Sequence, residues 1–298
     1  MTTVLVMGAT GKVGRHVVVQ LRERGHHVRA VSRSSPDRFD WADRDTWRPA
    51  LSTVDTIYLN VWGVVGVADP SEFTELAARS GVRRIVALSG RGDGGEDFLL
   101  NTPYGPWAKA VVDGERAAQD SGVEWTIVRP CWFAQTFEED PKLSAVRDGE
   151  VLIPVGEGTV PFVDAVDIAS VAVAALTEDG HQDQVYELSG PRAMTFAEAV
   201  AEIATATGRE IEYVPVDVPE YVRHLMDRGY DRDSARTHAG PFQWLHRGNT
   251  GFLSDGVLRA TGHEPRDFAD YARRAAATGV WSPSGVRRRS RSGASGRC

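Results

Sequence analysis

Three glycines near the start of the chain have the spacing of a phosphate-binding turn. The apolar run "TVLVM" leads into Gly8, and Gly11 and Gly14 follow at intervals of three before a helical pattern begins. In such a turn the first glycine allows a sharp bend, the second lets the backbone approach a diphosphate, and the third lets the helix pack on the strand. The pattern therefore predicts a dinucleotide site. Its predicted cofactor-binding residues are Gly8, Thr10, Gly11, Lys12, Val13 and Gly14.

The end of the next predicted strand indicates which dinucleotide binds. A strand at this position usually ends in Asp or Glu when the cofactor is NAD, whereas an arginine there accommodates the 2'-phosphate of NADP. Here the stretch is "AVSRSS", with Arg33 and Ser34 at the strand end and Lys12 near the same end of the turn. These residues favour NADP(H) over NAD(H). A magnesium-dependent nucleotide loop is excluded because Val13 follows Lys12, where such a loop has Ser or Thr.

Strand-like and helix-like segments alternate around this turn. Apolar runs such as "VDTIYLNV", "VRRIVALSG" and "VEWTIVRP" are separated by helical patterns around "SEFTELAARSG" and "AKAVVDGERAAQDSG". This alternation predicts a doubly wound α/β fold whose parallel sheet is covered on both faces and binds ligands at the carboxyl ends of its strands. We expect a dinucleotide-binding domain over residues 1–135, its sheet completed by later segments, and a smaller mixed α/β substrate lobe over 136–280. A basic tail over 281–298 is expected to be disordered.

Composition narrows the class of protein further. The 298 residues carry a net charge of -7 with an isoelectric point near 5.7, which gives no general basic surface for nucleic acid. Cys131 and Cys298 stand far apart without metal-ligand spacing, so neither a disulfide framework nor a metal site is expected. No apolar stretch approaches the roughly 18 residues that a membrane span needs. We expect a cytoplasmic protein that acts on a small molecule as a monomer or homodimer.

Several longer motifs together give the chain a family resemblance. They are "GATGKVGRHVV", "VSRSS", "FDWADRDTWRPAL", "GVRRIVALS", "SGVEWTIVRPCWFAQTF", "VPFVDAVDIASVAVAAL" and "YELSGPRAMTFAEAVAEI". From residue 3 to about residue 278 the chain resembles the NmrA-like branch of the atypical short-chain dehydrogenases, in particular bacterial reductases of the ergot-alkaloid-biosynthesis type. The resemblance implies a Rossmann domain that binds NADPH and a carboxyl-terminal lobe that forms the substrate pocket.

The resemblance also assigns positions along the cofactor. The segment that matches "FDW" lies by the adenine in this family, which makes Asp40 and Trp41 cofactor candidates. The segment that matches "LNVWG", with Asn60 and Val61, passes the middle of the cofactor. Pro130, in "RPCWF", is expected near the nicotinamide.

The catalytic residues of the wider family are only partly matched. That family uses a Ser, a Tyr and a Lys four residues after the Tyr, in which the phenol donates a proton and the ammonium lowers the pKa of the phenol. Ser89 stands at the serine position, but Trp107 and Val111 fall at the Tyr and Lys positions. The nearest substitutes, Tyr104 and Lys109, are five residues apart and would not present together on a helix as the usual pair does. Ser89, Tyr104 and Lys109 are therefore the catalytic candidates, for an atypical chemistry or for none.

Aromatic residues near the predicted strand ends suggest the shape of a substrate. Trp62, Trp132 and Phe133 could form a wall for a flat molecule, although core packing would explain them equally well. Residues 90–109 are rich in Gly and acidic side chains and are either a solvated connector or a lid over the substrate. The histidines His224, His238 and His246 show no zinc-like spacing and are expected to have surface or capping roles.

These observations favour an NADPH-dependent reductase of specialised metabolism. Hydride would pass from the nicotinamide to an electrophilic carbon of a planar aromatic, quinone, ketone or iminium-like substrate. Two alternatives stay open from the sequence. One is a regulatory protein that binds the dinucleotide as a redox signal without catalysis, and the other is a cofactor-assisted enzyme that couples or cyclises aromatic polyketides.

Overall fold

Six parallel strands form the sheet on which the predicted site is built. Their bounds are β1 Thr3–Met7, β2 His27–Val31, β3 Thr56–Asn60, β4 Arg84–Leu88, β5 Glu124–Pro130 and β8 Gln184–Leu188. Their spatial order is β2-β1-β3-β4-β5-β8. The computed structural model describes residues 1–33, 35, 37–62, 64–91, 105–240, 242–245 and 251–283, without the side chains of 105–107, 243 and 244.

Helices cover both faces of this sheet. On one face lie α1 (Gly14–Glu23) and α6 (Ala165–Thr177). Nearly every residue of α6 is buried, which explains why its sequence is apolar on almost all sides. On the other face lie α2 (Trp47–Ala50), α3 (Pro70–Arg79) and α4 (Gly105–Gln119). The strands between them are buried on both sides and therefore consist of continuous apolar runs. The prediction of a doubly wound α/β sheet of Rossmann type is confirmed.

The direction in which strands are added to the sheet reverses between β1 and β3. From β1 the chain moves outward to β2, then returns to the other side of β1 and continues through β3, β4 and β5 to β8. Val4 of β1 pairs with Val28 on one side and with Thr56 on the other, so the carboxyl ends of these strands lie together. Open α/β sheets bind ligands in the crevice at such a switch point. The residues that follow Met7 and Asn60 therefore lie at the predicted site.

Most of the remaining elements form a smaller mixed lobe with its own core. Those after β5 are a 3-10 turn Ala134–Glu138, α5 Lys142–Asp148, β6 Glu150–Ile153, β7 Thr159–Val160, β9 Met194–Thr195, α7 Phe196–Thr207, β10 Glu212–Pro215, α8 Val218–Asp227, α9 Arg232–Ala239, α10 Phe242–Leu245, α11 Gly256–Thr261 and α12 Phe268–Ala277. A further 3-10 turn, Arg44–Thr46, precedes α2. β6 pairs with β10 and β7 pairs with β9. Phe137, Phe162 and Phe196 are buried at the centre of the lobe.

Three elements from beyond residue 136 complete the first sheet and its helical layer: β8 joins the sheet, α6 covers one face, and α11 packs on β8 and α6. The predicted domain boundary at residue 135 stays a prediction, and most of the predicted tail, residues 284–298, lies outside the described residues. Within the part of the chain that the structure describes, no helix has the length and apolar character needed to cross a membrane.

Candidate functional site

The glycine turn connects β1 to α1 at the switch point. Gly8 has a φ of +66°, in the left-handed region that favours glycine, and a Cβ atom there would stand 2.7 Å from Nδ2 of Asn60. A Cβ atom on Gly14 would stand 2.2 Å from the carbonyl oxygen of Gly8. The N–H of Gly11 donates a hydrogen bond to the same oxygen at 2.9 Å. Side chains are thus sterically excluded at Gly8 and Gly14, which leaves at these positions the bare backbone that a diphosphate needs.

The first turn of α1 differs from that of the other long helices. Val13 occupies its N-cap position, and its side chain cannot accept a hydrogen bond. Every other helix of eight or more residues whose N-cap the structure describes has an Asp or Thr side chain that accepts from the first turn. These caps are Asp69, Asp164, Thr195, Asp217, Asp231 and Asp267. The amides and the dipole at the start of α1 therefore favour an external anion.

Asn60, Val61 and Trp62 follow β3 at the neighbouring strand end. The side-chain oxygen of Asn60 accepts a hydrogen bond from the Trp62 N–H at 3.0 Å, which holds a local turn. Val61 is buried against α4, where a Cβ atom on Gly114 would stand 2.7 Å from Cγ1 of Val61. The Trp62 residue is 51% exposed. The structure therefore brings Asn60 to the glycine turn and leaves the indole of Trp62 largely accessible.

The residues that would distinguish NADP from NAD follow β2. Arg33 is exposed, and no described residue forms a hydrogen bond or salt bridge with it. The guanidinium of Arg38, by contrast, lies 3.1 Å from a carboxylate oxygen of Asp40 and 2.9 Å from one of Asp43. Ser34 lies outside the described residues. Arg33 is thus available to an external phosphate, whereas the charge of Arg38 is already compensated.

Trp41, the other adenine-side candidate, is a core residue. It is 6% exposed. Its ring packs edge to face against Phe39, Trp47 and Phe73, with centroid distances of 5.2, 5.8 and 5.4 Å. Such aromatic clusters stabilise by burial and by edge-to-face contact. The structure therefore gives Trp41 a packing role in the loop between β2 and α2, and its contact with a cofactor stays a prediction.

Ser89, at the end of β4, belongs to a buried charged network. Its hydroxyl donates a hydrogen bond to the carboxylate of Glu115 on α4. Glu115 also accepts from Nε of Arg129 on β5, at 2.8 Å, and from Nη2 of the same guanidinium. This bidentate bond raises the pKa of Arg129 above its usual value. Because the Ser89 proton is directed at Glu115, the hydroxyl oxygen is left as an acceptor.

The other two catalytic candidates are not seen beside Ser89. Lys109 is exposed and forms an ion pair with Asp113, one turn further along α4. Tyr104 and the side chain of Trp107 lie outside the described residues. The described side chain of α4 that forms a hydrogen bond with Ser89 is that of Glu115. The catalytic roles of Ser89, Tyr104 and Lys109 stay predictions.

The segment after β5 leads from the sheet into aromatic side chains of the lobe. Pro130 ends the strand. The ring of Trp132 contacts that of Phe242 with centroids 5.6 Å apart, and the ring of Phe133 lies 5.7 Å from Nζ of Lys12. We refer to Trp132, Phe133 and Phe242 as the aromatic cluster. Since Lys12 belongs to the glycine turn, the aromatic cluster and the turn are neighbours.

Ion pairs attach the lobe to the turn. Nζ of Lys12 lies 2.5 Å from a carboxylate oxygen of Glu139, and the guanidinium of Arg15 lies 3.6 Å from Glu138. The ammonium of Lys12, a predicted cofactor ligand, is therefore already paired with the lobe. Among the described residues, no group of His, Cys, Asp and Glu side chains is arranged to hold a metal ion.

Lys142, at the start of α5, was not predicted as a site residue. Its Nζ lies 5.6 Å from the ring centroid of Phe242. Burial lowers the pKa of this ammonium to about 8, against the opposing effect of the Glu139 carboxylate. The sequence contains three lysines, Lys12, Lys109 and Lys142, in an arginine-rich chain. That rarity is the one local signal that could have drawn attention to Lys142.

Known proteins resemble the chain over most of its length. A family model described as NAD(P)H-binding matches residues 8–179. The uncharacterized oxidoreductase YesF of Bacillus subtilis is 32% identical over 94% of this chain and 98% of its own length. Agroclavine dehydrogenase of Claviceps fusiformis is 30% identical over 90% of this chain and 96% of its own. The structure of Citrobacter sp. triphenylmethane reductase with NADP(H) shares the fold, with a TM-score of 0.74 at 18% identity over 92% of this chain and 100% of that one.

Proposed function

The chain belongs to the NAD(P)H-binding, NmrA-like family and is an oxidoreductase of the atypical short-chain dehydrogenase type, and from that premise we propose that it reduces a planar substrate with NADPH. The substrate class is an aromatic, quinone, ketone or iminium-like molecule of specialised metabolism. The observation that carries this proposal is the position of the aromatic cluster beside the glycine turn.

The described residues fit a nicotinamide dinucleotide. A Cβ atom at Gly8 or Gly14 would overlap neighbouring atoms, and the start of α1 has no side-chain cap. The backbone from Gly8 to Gly14 would hold the diphosphate, and Arg33 would hold the 2'-phosphate. A bound nicotinamide supplies hydride chemistry, and the protein supplies binding and orientation.

The preference for NADPH rests on the end of β2. Arg33 is exposed and has no partner among the described residues. A guanidinium in this state pairs with a phosphate without first breaking an internal ion pair, which Arg38 would have to do. The 2'-phosphate distinguishes NADPH from NADH, so Arg33 would give the preference.

A flat substrate fits the aromatic cluster. Trp132 and Phe133 are partly exposed, and the ring of Phe133 lies close to Lys12 of the turn. Aromatic side chains bind flat molecules through large contact areas and stacking. A planar substrate on Trp132 and Phe133 would therefore be held next to the cofactor.

The proposed reaction does not depend on a proton donor among the described side chains. The hydroxyl proton of Ser89 is directed at Glu115, and Lys109 is paired with Asp113. An iminium-like substrate accepts hydride without any proton, and a quinone or ketone could take its proton from water. We therefore propose that Ser89 orients a ligand as a hydrogen-bond acceptor, with Tyr104 and Lys109 as the remaining candidate donors.

Calorimetric titration tests the cofactor first. We expect NADPH to bind more tightly than NADH, and Arg33→Ala to weaken NADPH about tenfold or more while leaving NADH unchanged, as expected for loss of a phosphate–guanidinium pair. Arg79→Ala is the matched control, because Arg79 lies exposed on α3 and pairs with Glu75. Equal losses for both dinucleotides, or no loss, would contradict the role of Arg33.

Turnover then tests the reaction. Oxidation of NADPH should depend on an added quinone, aromatic ketone or cyclic iminium compound and should be absent with substrates that are not planar. Tight binding of NADPH without turnover of any such compound, with different affinities for the reduced and oxidised cofactor, would instead support a redox-sensing protein.

A further inference from the structure

Lys142 presents a cation without a described partner to the aromatic cluster. Its side chain is partly buried at the start of α5, and its ammonium lies 5.6 Å from the ring centroid of Phe242. Within the described ranges, no carboxylate or other acceptor forms a hydrogen bond or salt bridge with it. A cation–π contact compensates a buried charge only in part. Such a charge is unfavourable unless an anion completes its surroundings.

The two acidic residues that shortly precede Lys142 in the chain, Glu139 and Asp140, have other partners. The carboxylate of Glu139 lies 2.5 Å from Lys12. Asp140 accepts hydrogen bonds from the N–H of Ser144, at 3.1 Å, and from its hydroxyl. Neither carboxylate therefore neutralises the ammonium of Lys142 directly.

Two further titratable groups act near Lys142: the ammonium of Lys12, which is a second cation, and His238 on α9, which supplies no negative charge. The ring of His238 packs against Tyr230 with centroids 5.4 Å apart. Burial and the ammonium of Lys142 both lower the pKa of His238, and Asp140 raises it. Near neutral pH His238 is thus a neutral polar wall beside the cation.

Successive contacts connect this cation to the cofactor turn. Lys142 lies over Phe242, Phe242 contacts Trp132, and Phe133, the next residue along the chain, lies near Lys12. A planar molecule on the exposed parts of Trp132 and Phe133 would have the turn on one side and the ammonium within reach of a substituent.

We propose that Lys142 binds an anionic substituent of the substrate, such as a carboxylate, sulfonate or phosphate. The inference rests on the proposed function, because it places the planar part of the same molecule on the aromatic cluster. It narrows the substrate class to planar acceptors that carry a negative charge next to the ring system.

Two matched quinones test this site in the protein saturated with NADP. We would titrate 1,4-naphthoquinone-2-sulfonate and neutral 1,4-naphthoquinone by calorimetry and then measure their reduction with NADPH. The sulfonate should bind at least about tenfold more tightly, as one charge-assisted contact provides. Lys142→Met should remove this difference, and Lys142→Arg should keep most of it. Arg79→Met, which removes an exposed charge on α3, is the control.

The pH dependence gives a second readout that a structural role would not produce. Below a pH of about 8 the ammonium of Lys142 is charged, and above it the side chain loses its charge. Affinity for the sulfonate should therefore fall as the pH rises through this region, while affinity for the neutral quinone stays constant. Lys142→Arg should make the sulfonate profile flat, because arginine does not titrate there.

The outcomes separate this inference from the proposed function. Equal affinity of wild-type protein for both quinones, or a preference that persists in a folded Lys142→Met variant, would overturn the anion site even if both quinones are reduced. If inorganic phosphate binds at Lys142 as tightly as the sulfonate does, the site binds a small anion and not a substituent of the substrate. Binding of the sulfonate through Lys142 without reduction of either quinone would retain the site and overturn the reductase.

Discussion

The glycine turn and the aromatic cluster lie side by side but are built in different ways. The turn is a few consecutive residues whose backbone leaves no room for side chains at Gly8 and Gly14. The cluster brings Trp132 and Phe133 of one segment together with Phe242 of another, and Lys142 of a third segment lies over Phe242. Cofactor binding is thus a property of local backbone geometry, whereas substrate recognition depends on how distant elements pack. Substitutions should affect the two regions differently.

The largest effect is expected in the turn, from Gly14→Ala. The added Cβ would stand 2.2 Å from the carbonyl oxygen of Gly8 and 2.9 Å from its carbon, both backbone atoms that cannot move independently. We expect a loss of about 3 kcal/mol or more in the free energy of unfolding, as for a severe steric conflict in a packed site, and loss of dinucleotide binding. Chemical denaturation and calorimetric titration would measure the two quantities.

Gly25→Ala, at the other end of α1, is the matched control for that change. Gly25 has a φ of +79°, but a Cβ atom there would meet no atom within 4 Å. It should cost about 1 kcal/mol through backbone strain and leave NADPH binding intact. Similar losses in the two variants would mean that the close approach to Gly8 does not govern the turn.

The second effect concerns the network formed by Ser89, Glu115 and Arg129. Glu115→Ala would leave the partly buried guanidinium of Arg129 without its carboxylate. We expect a loss of about 3 kcal/mol in the free energy of unfolding, typical of an unpaired buried charge. Removing both charges with Glu115→Ala and Arg129→Met should recover part of that loss.

Glu75→Ala is the reference for an ordinary ion pair. Glu75 and Arg79 are both largely exposed on α3, so this change should alter stability by less than about 1 kcal/mol. If Glu115→Ala is equally mild, water reaches Arg129, and the network does not fix Ser89.

The sequence predicted the turn and the sheet because both depend on neighbouring residues. Gly8, Gly11 and Gly14 carry their spacing within one strand–turn–helix unit, and strands buried on both faces show as continuous apolar runs. The same locality underlies the prediction of Arg33, two residues after the end of β2, as a phosphate ligand.

The packing of distant side chains could not be predicted in this way. Nothing near Glu115 in the sequence indicates that it meets Ser89 and Arg129, which lie on two other elements. The surroundings of Lys142 are equally hard to predict, because Phe242, whose ring it lies over, follows 100 residues later. Trp41 is the converse case, since a resemblance places it by the cofactor while its surroundings bury its ring.

The smallest effects are expected at the contact between the two regions, the ion pair of Lys12 and Glu139. Both side chains are partly exposed, so Lys12→Met should change the free energy of unfolding by less than about 1 kcal/mol. Its effect on Lys142 is more informative. Without Lys12, the carboxylate of Glu139 loses its partner and one repelling cation disappears, and both changes raise the pKa of Lys142.

Lys12→Met and Glu139→Gln should therefore shift sulfonate binding in opposite directions. In Lys12→Met the pH at which binding of the sulfonate is lost should rise from about 8. The affinity for the sulfonate at neutral pH should fall about two- to threefold, because Glu139 then competes for the ammonium of Lys142. In Glu139→Gln the pH at which sulfonate binding is lost should decrease, and the affinity for the sulfonate at neutral pH should rise slightly. Shifts of the same sign in both variants would mean that backbone movement, and not charge, couples the turn to Lys142. Opposite shifts would show that the charges of Lys12 and Glu139 couple the cofactor turn to the anion site.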